Sequence, residues 1–227
     1  MVIFVCSCDK DEDTFEPFYH CIEKYWENHP QIIYTTETIQ NPYYKTINKN
    51  YPIEKWTKRI RETLKEIEDN EILLMMDDLF IRKPVDEERI EYARIILKHN
   101  KNRYDGNIAL INFEKEYDNL NEDIGLNGFK KRKKGSPYEL SIMCGLWNKE
   151  KLIDILSKDS DPWSVEYNQD TKEYDYLINS GDYIIDWGYE SFKHCGLKQG
   201  KWCREVVDFF KKEGIEIDYS IRGFYDN

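Results

Sequence analysis

The stretch that most constrains this chain is Glu71-Ile-Leu-Leu-Met-Met-Asp-Asp-Leu-Phe80. Five consecutive apolar residues, Ile72 to Met76, run straight into two adjacent carboxylates, Asp77 and Asp78. An apolar run of this length with polar bounds reads as a strand buried on both faces, which requires a sheet covered by helices on either side. The two acids then stand at the carboxyl end of the strand, the edge where open α/β sheets bind ligands. Side-by-side carboxylates repel each other and are costly to desolvate without a cation or hydrogen-bond donors. Their natural partner is a hard divalent metal with oxygen ligands, Mn²⁺ or Mg²⁺. The alternative is that one acid caps the following turn while the other points to water.

The flanking sequence supplies the rest of such a sheet. Met1 to Cys6 reads as a first buried strand, followed by the polar loop Ser7-Cys-Asp-Lys-Asp-Glu-Asp13. Thr14 is a suitable N-cap for a helix to about Trp26, with Phe15, Phe18, Tyr19, Ile22 and Trp26 at helical spacing and Pro17 in the first turn. Gln31 to Thr35 reads as a second strand, and the β-α-β order implies a parallel pair with a right-handed crossover. Residues 41–52 read as a loop. A helix over Ile53 to Asp69 presents Trp56, Ile60, Leu64 and Ile67 on one face and leads into the Ile72–Met76 strand. Downstream, the pattern predicts helices over Asp86–His99, Lys149–Leu156 (capped by Asn148) and Lys201–Glu213 (with Gly214 at C′), and another beginning near Pro162. It predicts strands over Asn107–Phe113, Tyr138–Gly145, Tyr174–Ile178 and Tyr183–Trp187, the last two joined through Asn179-Ser-Gly-Asp182. The expected class is α/β, a Rossmann-like nucleotide-binding half and a mixed central sheet with helices on both faces. The expected organisation is one domain over 1–227, built of two halves, 1–113 and 114–227.

Composition narrows the class of partner. The 227 residues carry a net charge of -11, which argues against sequence-independent nucleic-acid binding. The basic run Lys130-Lys-Arg-Lys-Lys134 is short and flanked by Gly128 and Gly135, so it reads as a solvated loop or hairpin, with phosphate contact as the sharper option. Aromatic residues reach 15%, enough for a core and for stacking surfaces. The six cysteines include no C-x-x-C pair, which supports free thiols in a reducing compartment. With no leader and no apolar stretch long enough to span a bilayer, the expectation is a soluble, cytoplasmic protein. His20, His29, His99 and His194 show no paired spacing and read as structural or surface residues. No dinucleotide fingerprint, Walker loop or nucleophile elbow is present.

Several segments together carry a resemblance. They are Trp56 at a helix start, Asp77-Asp-Leu-Phe80, Lys83-Pro-Val-Asp86, Leu146-Trp147 before Asn148-Lys-Glu-Lys-Leu152, Asp161-Pro-Trp-Ser-Val-Glu166, Gly200-Lys-Trp202 and Arg222-Gly223. In order and spacing the chain resembles the small GT-A-type glycosyltransferases of bacterial surface-polysaccharide clusters and large DNA viruses. It departs from that pattern at Ser164, where an acid is expected, and at Ile142-Met-Cys144, where a strand containing Gln or Pro is expected. The resemblance implies transfer of a sugar from a nucleotide-diphosphate donor, UDP-linked, to a glycan acceptor, with a divalent cation and inversion. It also places Trp56 in the donor site and makes residues 1–113 the donor-nucleotide half and 114–227 the acceptor half.

Residue roles follow from the chemistry. Asp77 and Asp78 are the candidate metal ligands; one can hold the cation, which would neutralise the leaving diphosphate as a Lewis acid, while the other meets the ribose or the donor sugar. An inverting route needs a general base. Glu166 is the candidate, because a carboxylate beside an aromatic wall has a raised pKa, and Asp161 is the fallback. An ordinary first-turn Glu is the competing reading of Glu166. Trp147 and Trp163 are candidate sugar platforms for the acceptor, or core residues. Ser7, Asp9 and Glu37 follow the first two strands on the same edge and are candidates for nucleotide contacts, or else loop and cap residues. Arg59 is a candidate to reach the diphosphate, or else a solvated side chain, and Arg222 is a candidate to close over the donor. Two rivals stand beside this reading. A nucleotidyltransferase would show a Gly-rich, basic loop after the first strand, and a carbohydrate-binding or assembly module would have lost its catalytic residues.

Overall fold

The computed structural model describes residues 1–98, 106–116, 119–168, 170–188 and 195–226. Nine strands form one mixed sheet: β1 (Val2–Cys6), β2 (Ile32–Thr36), β3 (Lys45–Asn48), β4 (Glu71–Met76), β5 (Ile108–Lys115), β6 (Asn121–Glu122), β7 (Phe129–Arg132), β8 (Gly145–Asn148) and β9 (Asp175–Asn179). Their spatial order is β3-β2-β1-β4-β8-β5-β9-β7-β6. The first four run parallel, as the β-α-β reading predicts. β8 then enters antiparallel between β4 and β5, and β9 pairs parallel with β5. A short hairpin of β10 (Leu197–Lys198) and β11 (Lys201–Trp202) stands apart.

The strands alternate their side chains between two cores. Ile3, Val5, Leu73 and Met75 face α1 (Phe15–Tyr25), α3 (Glu87–Lys98) and α6 (Arg204–Glu213), packing with Phe15, Phe18, Ile90, Val206 and Phe210. Val2, Phe4, Ile72 and Leu74 face α2 (Trp56–Lys65) and α4 (Lys149–Ile155), packing with Trp56, Ile60, Leu64 and Leu152. Each fully buried Leu, Ile or Phe contributes roughly 1.5–3 kcal/mol, so β4, apolar on both faces, anchors both layers. A further short helix, α5 (Pro162–Asn168), completes the described elements. None of the helices among the described residues is long and apolar enough to cross a membrane.

Several expectations need correction. Residues 45–48, inside the expected loop, form the edge strand β3; only Ile47 of that strand is buried, so it leaves little periodic signal. The ladder expected over 138–145 begins only at Gly145. Leu140, Ile142 and Cys144 alternate and are buried, but in an irregular segment. Gly145 sits where a Cβ would lie 2.6 Å from Leu110 Cδ1 and 2.9 Å from the Ile111 carbonyl oxygen, so close approach of β5 selects glycine there. Tyr183–Trp187 is not a strand; it lies along residues 82–86 through the Asp86 amide to Ile184 O and the Arg82 amide to Asp186 O. Lys201-Trp202 belongs to β11, and α6 starts at Arg204 and ends on Gly214 at φ 73°. Thr14 closes a 3₁₀ turn over Asp9–Thr14 and makes no side-chain cap bond. Asn148 caps α4 as expected, accepting from the Lys151 amide at 3.1 Å. The basic run lies on and just after β7, where Lys130 pairs with Glu116 at 2.9 Å and Lys131 with Asp175 at 2.6 Å. His20 and His29 lie near Glu213 and Glu23, while His99 and His194 fall outside the described residues.

Candidate functional site

The carboxyl ends of β1, β2 and β4 lie side by side, so the loops leaving them converge. Asp77 is buried at the end of β4, and its Oδ2 accepts from the Ser7 hydroxyl at 2.5 Å and the Thr14 hydroxyl at 2.9 Å. Its Oδ1 accepts no hydrogen bond among the described residues. Burial, then the charges of Asp11 and Asp78, push the Asp77 carboxyl well above the usual range against those two hydroxyls. Asp78 is partly exposed and accepts from the Leu197 amide at 3.2 Å. Burial raises its carboxyl from 3.8 to about 6, with the Leu197 amide opposing and the Asp11 charge adding to the rise. The β10–β11 hairpin rests directly on this point: the Gly196 amide donates to Asp78 O, and a Cβ on Gly196 would lie 2.2 Å from the Phe80 ring.

Around this pair stands a network of buried and half-buried polar groups. Asp9 is a strut between the loops after β1 and β2, accepting from the Thr38 amide at 2.9 Å, the Thr38 hydroxyl at 2.5 Å and the Ile39 amide at 3.2 Å. Burial works to raise the Asp9 carboxyl, but these donors outweigh it and the carboxyl lies below its ordinary range. Glu37 accepts from the Asp9 amide at 2.7 Å and pairs with Arg59. Arg59, only 2% exposed, also donates to Ser7 O at 2.8 Å, so the guanidinium supports the loop from beneath. Arg222 bridges the acidic turn, donating to Asp13 Oδ2 and Asp11 Oδ1, each at 2.8 Å. The structure thus brings Ser7, Asp9, Glu37, Arg59, Asp77, Asp78 and Arg222 into one neighbourhood. It adds Asp11 and Asp13, read from sequence only as part of a polar loop, and Thr14, read only as a helix cap; the Asp9-x-Asp11-x-Asp13 alternation was the available signal.

A second group lies on the same sheet edge. β8 runs antiparallel to β4, so residues 141–144, just before β8, sit beside the end of β4. Glu166 on α5 accepts from the Ile142 amide at 2.9 Å, and burial, opposed by that amide, raises its carboxyl above the usual range. The charge of Glu114 raises it further. The loop before α5 is tied to the first turn of α2, with the Thr57 amide donating to Ser160 O at 3.1 Å. Asp161 caps α5: Oδ1 takes the Ser164 amide at 2.9 Å and Oδ2 the Ser164 hydroxyl at 2.6 Å. These two bonds hold the Asp161 carboxyl below its ordinary range, which suits a cap and not a base.

The candidate aromatics separate clearly. Trp163 is 62% exposed on α5, one turn before the exposed Tyr167. Trp147 is 0% exposed, edge-on to Tyr176 at 6.5 Å, and offers no face to an acceptor. Trp56 is likewise buried, in the core between α2 and the sheet.

A divalent cation suits the oxygen donors of Asp77 and Asp78, whose crowded charge it would relieve. Among the described residues, no three His, Cys, Asp or Glu side chains form a closed metal site.

No protein-family model matches the sequence, and no curated protein matches it significantly. Among solved structures, the chain is similar to S. aureus TarS, with a TM-score of 0.50 and 11% identity over 97% of this chain and 41% of that one. It is also similar to a UDP-glucose pyrophosphorylase complexed with UDP-glucose, with a TM-score of 0.50 and 8% identity over 93% of this chain and 98% of that one. The bifunctional IspDF of Campylobacter jejuni aligns at a TM-score of 0.45 and 9% identity, over 80% of this chain and 50% of that one. The chain therefore spans half or less of the length of IspDF and TarS. The fold is the mixed α/β sheet of Rossmann-like nucleotidyltransferases and GT-A proteins.

Proposed function

We propose that this chain is a glycosyltransferase that moves a sugar from a nucleotide-diphosphate donor, UDP-linked, to a glycan acceptor with inversion. The observation that carries this is the presence, on one sheet edge, of two separate acidic centres. Asp77 and Asp78 at the end of β4 suit a cation and a diphosphate, and Glu166 above the lead-in to β8 has a carboxyl raised toward neutrality. Sugar transfer to a hydroxyl needs both a charge-neutralised leaving group and a base. Nucleotidyl transfer needs no such base, because its sugar-phosphate nucleophile is already anionic near neutral pH, with a second phosphate pKa of about 6. The turn after β1 has no glycine and carries Asp9, Asp11, Glu12 and Asp13, where a nucleotidyltransferase would show a Gly-rich, basic loop.

The roles of individual side chains follow from their positions. Asp77 and Asp78 would hold Mn²⁺ or Mg²⁺; when bound, the cation neutralises charge on the leaving diphosphate. Arg59 and Glu37 fix the loop on which Ser7 and Asp9 meet the nucleoside. Arg222 sits where it can exchange Asp11 and Asp13 for phosphate oxygens. Glu166 takes the proton of the acceptor hydroxyl, and Trp163 offers its ring to the C–H face of the acceptor sugar.

Calorimetry with UDP, with and without Mn²⁺, tests the donor side. Binding should require the metal and be lost in Asp78→Ala; metal-independent binding unchanged in that variant would sink the reading. UDP release from UDP-sugars tests the base. Glu166→Gln should keep UDP affinity and lose turnover by about 10²-fold or more.

A further inference from the structure

Glu114 is a carboxyl buried near the end of β5, 8% exposed, with no Lys or Arg paired to it among the described residues. A buried acid without a countercharge is costly unless it is held by donors. Here the donors are specific: Glu114 Oε2 accepts from the Asn112 side-chain amide and from the Ser141 hydroxyl, each at 2.8 Å. The next residue after Ser141 is Ile142, whose amide is the anchor of Glu166 Oε1 at 2.9 Å. The Ser141 hydroxyl also faces Glu166, but it has a single proton and gives it to Glu114. Two carboxyls from different elements therefore meet over one Ser-Ile dipeptide. The groups facing Glu166 are Glu114 from β5, the Ser141 hydroxyl and the Ile142 amide; among the described residues no cation pairs with it. The buried Cys144 thiol also faces Glu114, and burial and then the Glu114 charge keep it protonated.

We propose that Glu114 is a positioning residue for Glu166, which it fixes through Ser141 and supplies with a like charge, so that the acceptor proton is received by a pair of acids and not by one. The inference rests on the reading of Glu166 as the base. In the step, the acceptor O–H bond breaks and its electron pair forms the new bond to the anomeric carbon. The bond from that carbon to the diphosphate breaks, its pair leaving with the diphosphate. The proton passes to Glu166, adjacent to the Glu114 charge that favours its retention, and later to solvent.

The test reads Glu166 directly. Protein labelled with ¹³C at glutamate carboxyls is titrated by NMR, and the Glu166 signal is the one missing from Glu166→Gln. Glu114→Gln should lower its midpoint by about half to one pH unit, by removal of the like charge, and shift the acid limb of UDP-sugar turnover down by the same amount. Ser141→Ala should move the midpoint in the opposite direction, because a donor to the pair is lost; this variant decides the matter if Glu114→Gln fails to fold. A Glu166 midpoint unmoved in the variants that fold overturns the proposal, since a merely structural Glu114 would lower stability without shifting it. Turnover retained in Glu166→Gln would instead remove the base reading and leave the titration result standing on its own.

Discussion

Replacing Asp78 by Asn separates stability from binding, because the same charge is unfavourable to the fold and necessary to the proposed site. The folded-state carboxyl titrates at about 6 against an ordinary 3.8. A pKa raised on folding means that the folded protein holds the proton more tightly. The associated stabilisation is complete below 3.8, fades as pH rises through 6 and is absent at pH 7.5. At about 1.4 kcal/mol per pH unit this gap is worth about 3 kcal/mol, and about 2 kcal/mol once solvent contact with this partly exposed carboxyl is counted. Asn keeps the shape and still accepts from the Leu197 amide. Asp78→Asn should therefore raise the thermal midpoint at pH 7.5 by about 4–8 °C for a chain of this length. The gain should shrink toward zero by pH 4, where the native Asp78 is already neutral. Calorimetric titration of the same variant with Mn²⁺ and UDP should show at least a tenfold loss of affinity, about 1.4 kcal/mol. A midpoint unchanged or lowered at pH 7.5, or a stabilisation that persists at pH 4, would refute the account of Asp78 as a carboxylate held against its electrostatic preference.

Three further outcomes can be measured. Trp147→Ala should cost about 3–5 kcal/mol in urea unfolding, while Trp163→Ala should lie within about 0.5 kcal/mol of the parent; equal costs would contradict their opposite burial. Arg59→Lys should cost about 2–3 kcal/mol, because one ammonium cannot serve both Glu37 and Ser7 O; an unchanged urea midpoint would show the fork is dispensable. Gly196→Ala should destabilise by about 1–3 kcal/mol, since its Cβ would meet the Phe80 ring, and a parental thermal midpoint would refute that close packing.

What the sequence made legible was whatever a long apolar period could carry. β1, β2, β4, β5 and the helices α1 to α4 announce themselves as buried runs or helical stripes. β3 does not, because an edge strand buries one face of one or two residues. Residues 138–145 and 183–187 mislead for the opposite reason: their apolar residues are buried, yet a ladder also needs a free neighbouring edge. The Asp77-Asp78 pair could be found because it ends an uninterrupted apolar run, Ile72 to Met76. Glu114 was hidden because the apolar pattern of β5 ends at Phe113 and its partner, Ser141, comes from a segment read as strand. Arg222 was singled out, but its present partners, Asp11 and Asp13, were not, since contact across the whole chain length leaves no local pattern. Trp147 and Trp163 show the limit of residue type: both are tryptophans near a helix start, and only the register of β8 decides that one is core.

The placement of β8 between β4 and β5 also sets a schedule for synthesis. β1, β2 and β4 can pair as they leave the ribosome, but the other edge of β4 waits for Gly145 to Asn148. At about 5–20 residues per second, residues 77 to 144 take roughly 3–14 s to make. For that interval the nascent chain carries an apolar strand with one open edge, the kind of surface that invites pairing with another chain. Chaperone occupancy on ribosome-bound chains should therefore peak while residues 77–144 are being added and fall once β8 has emerged.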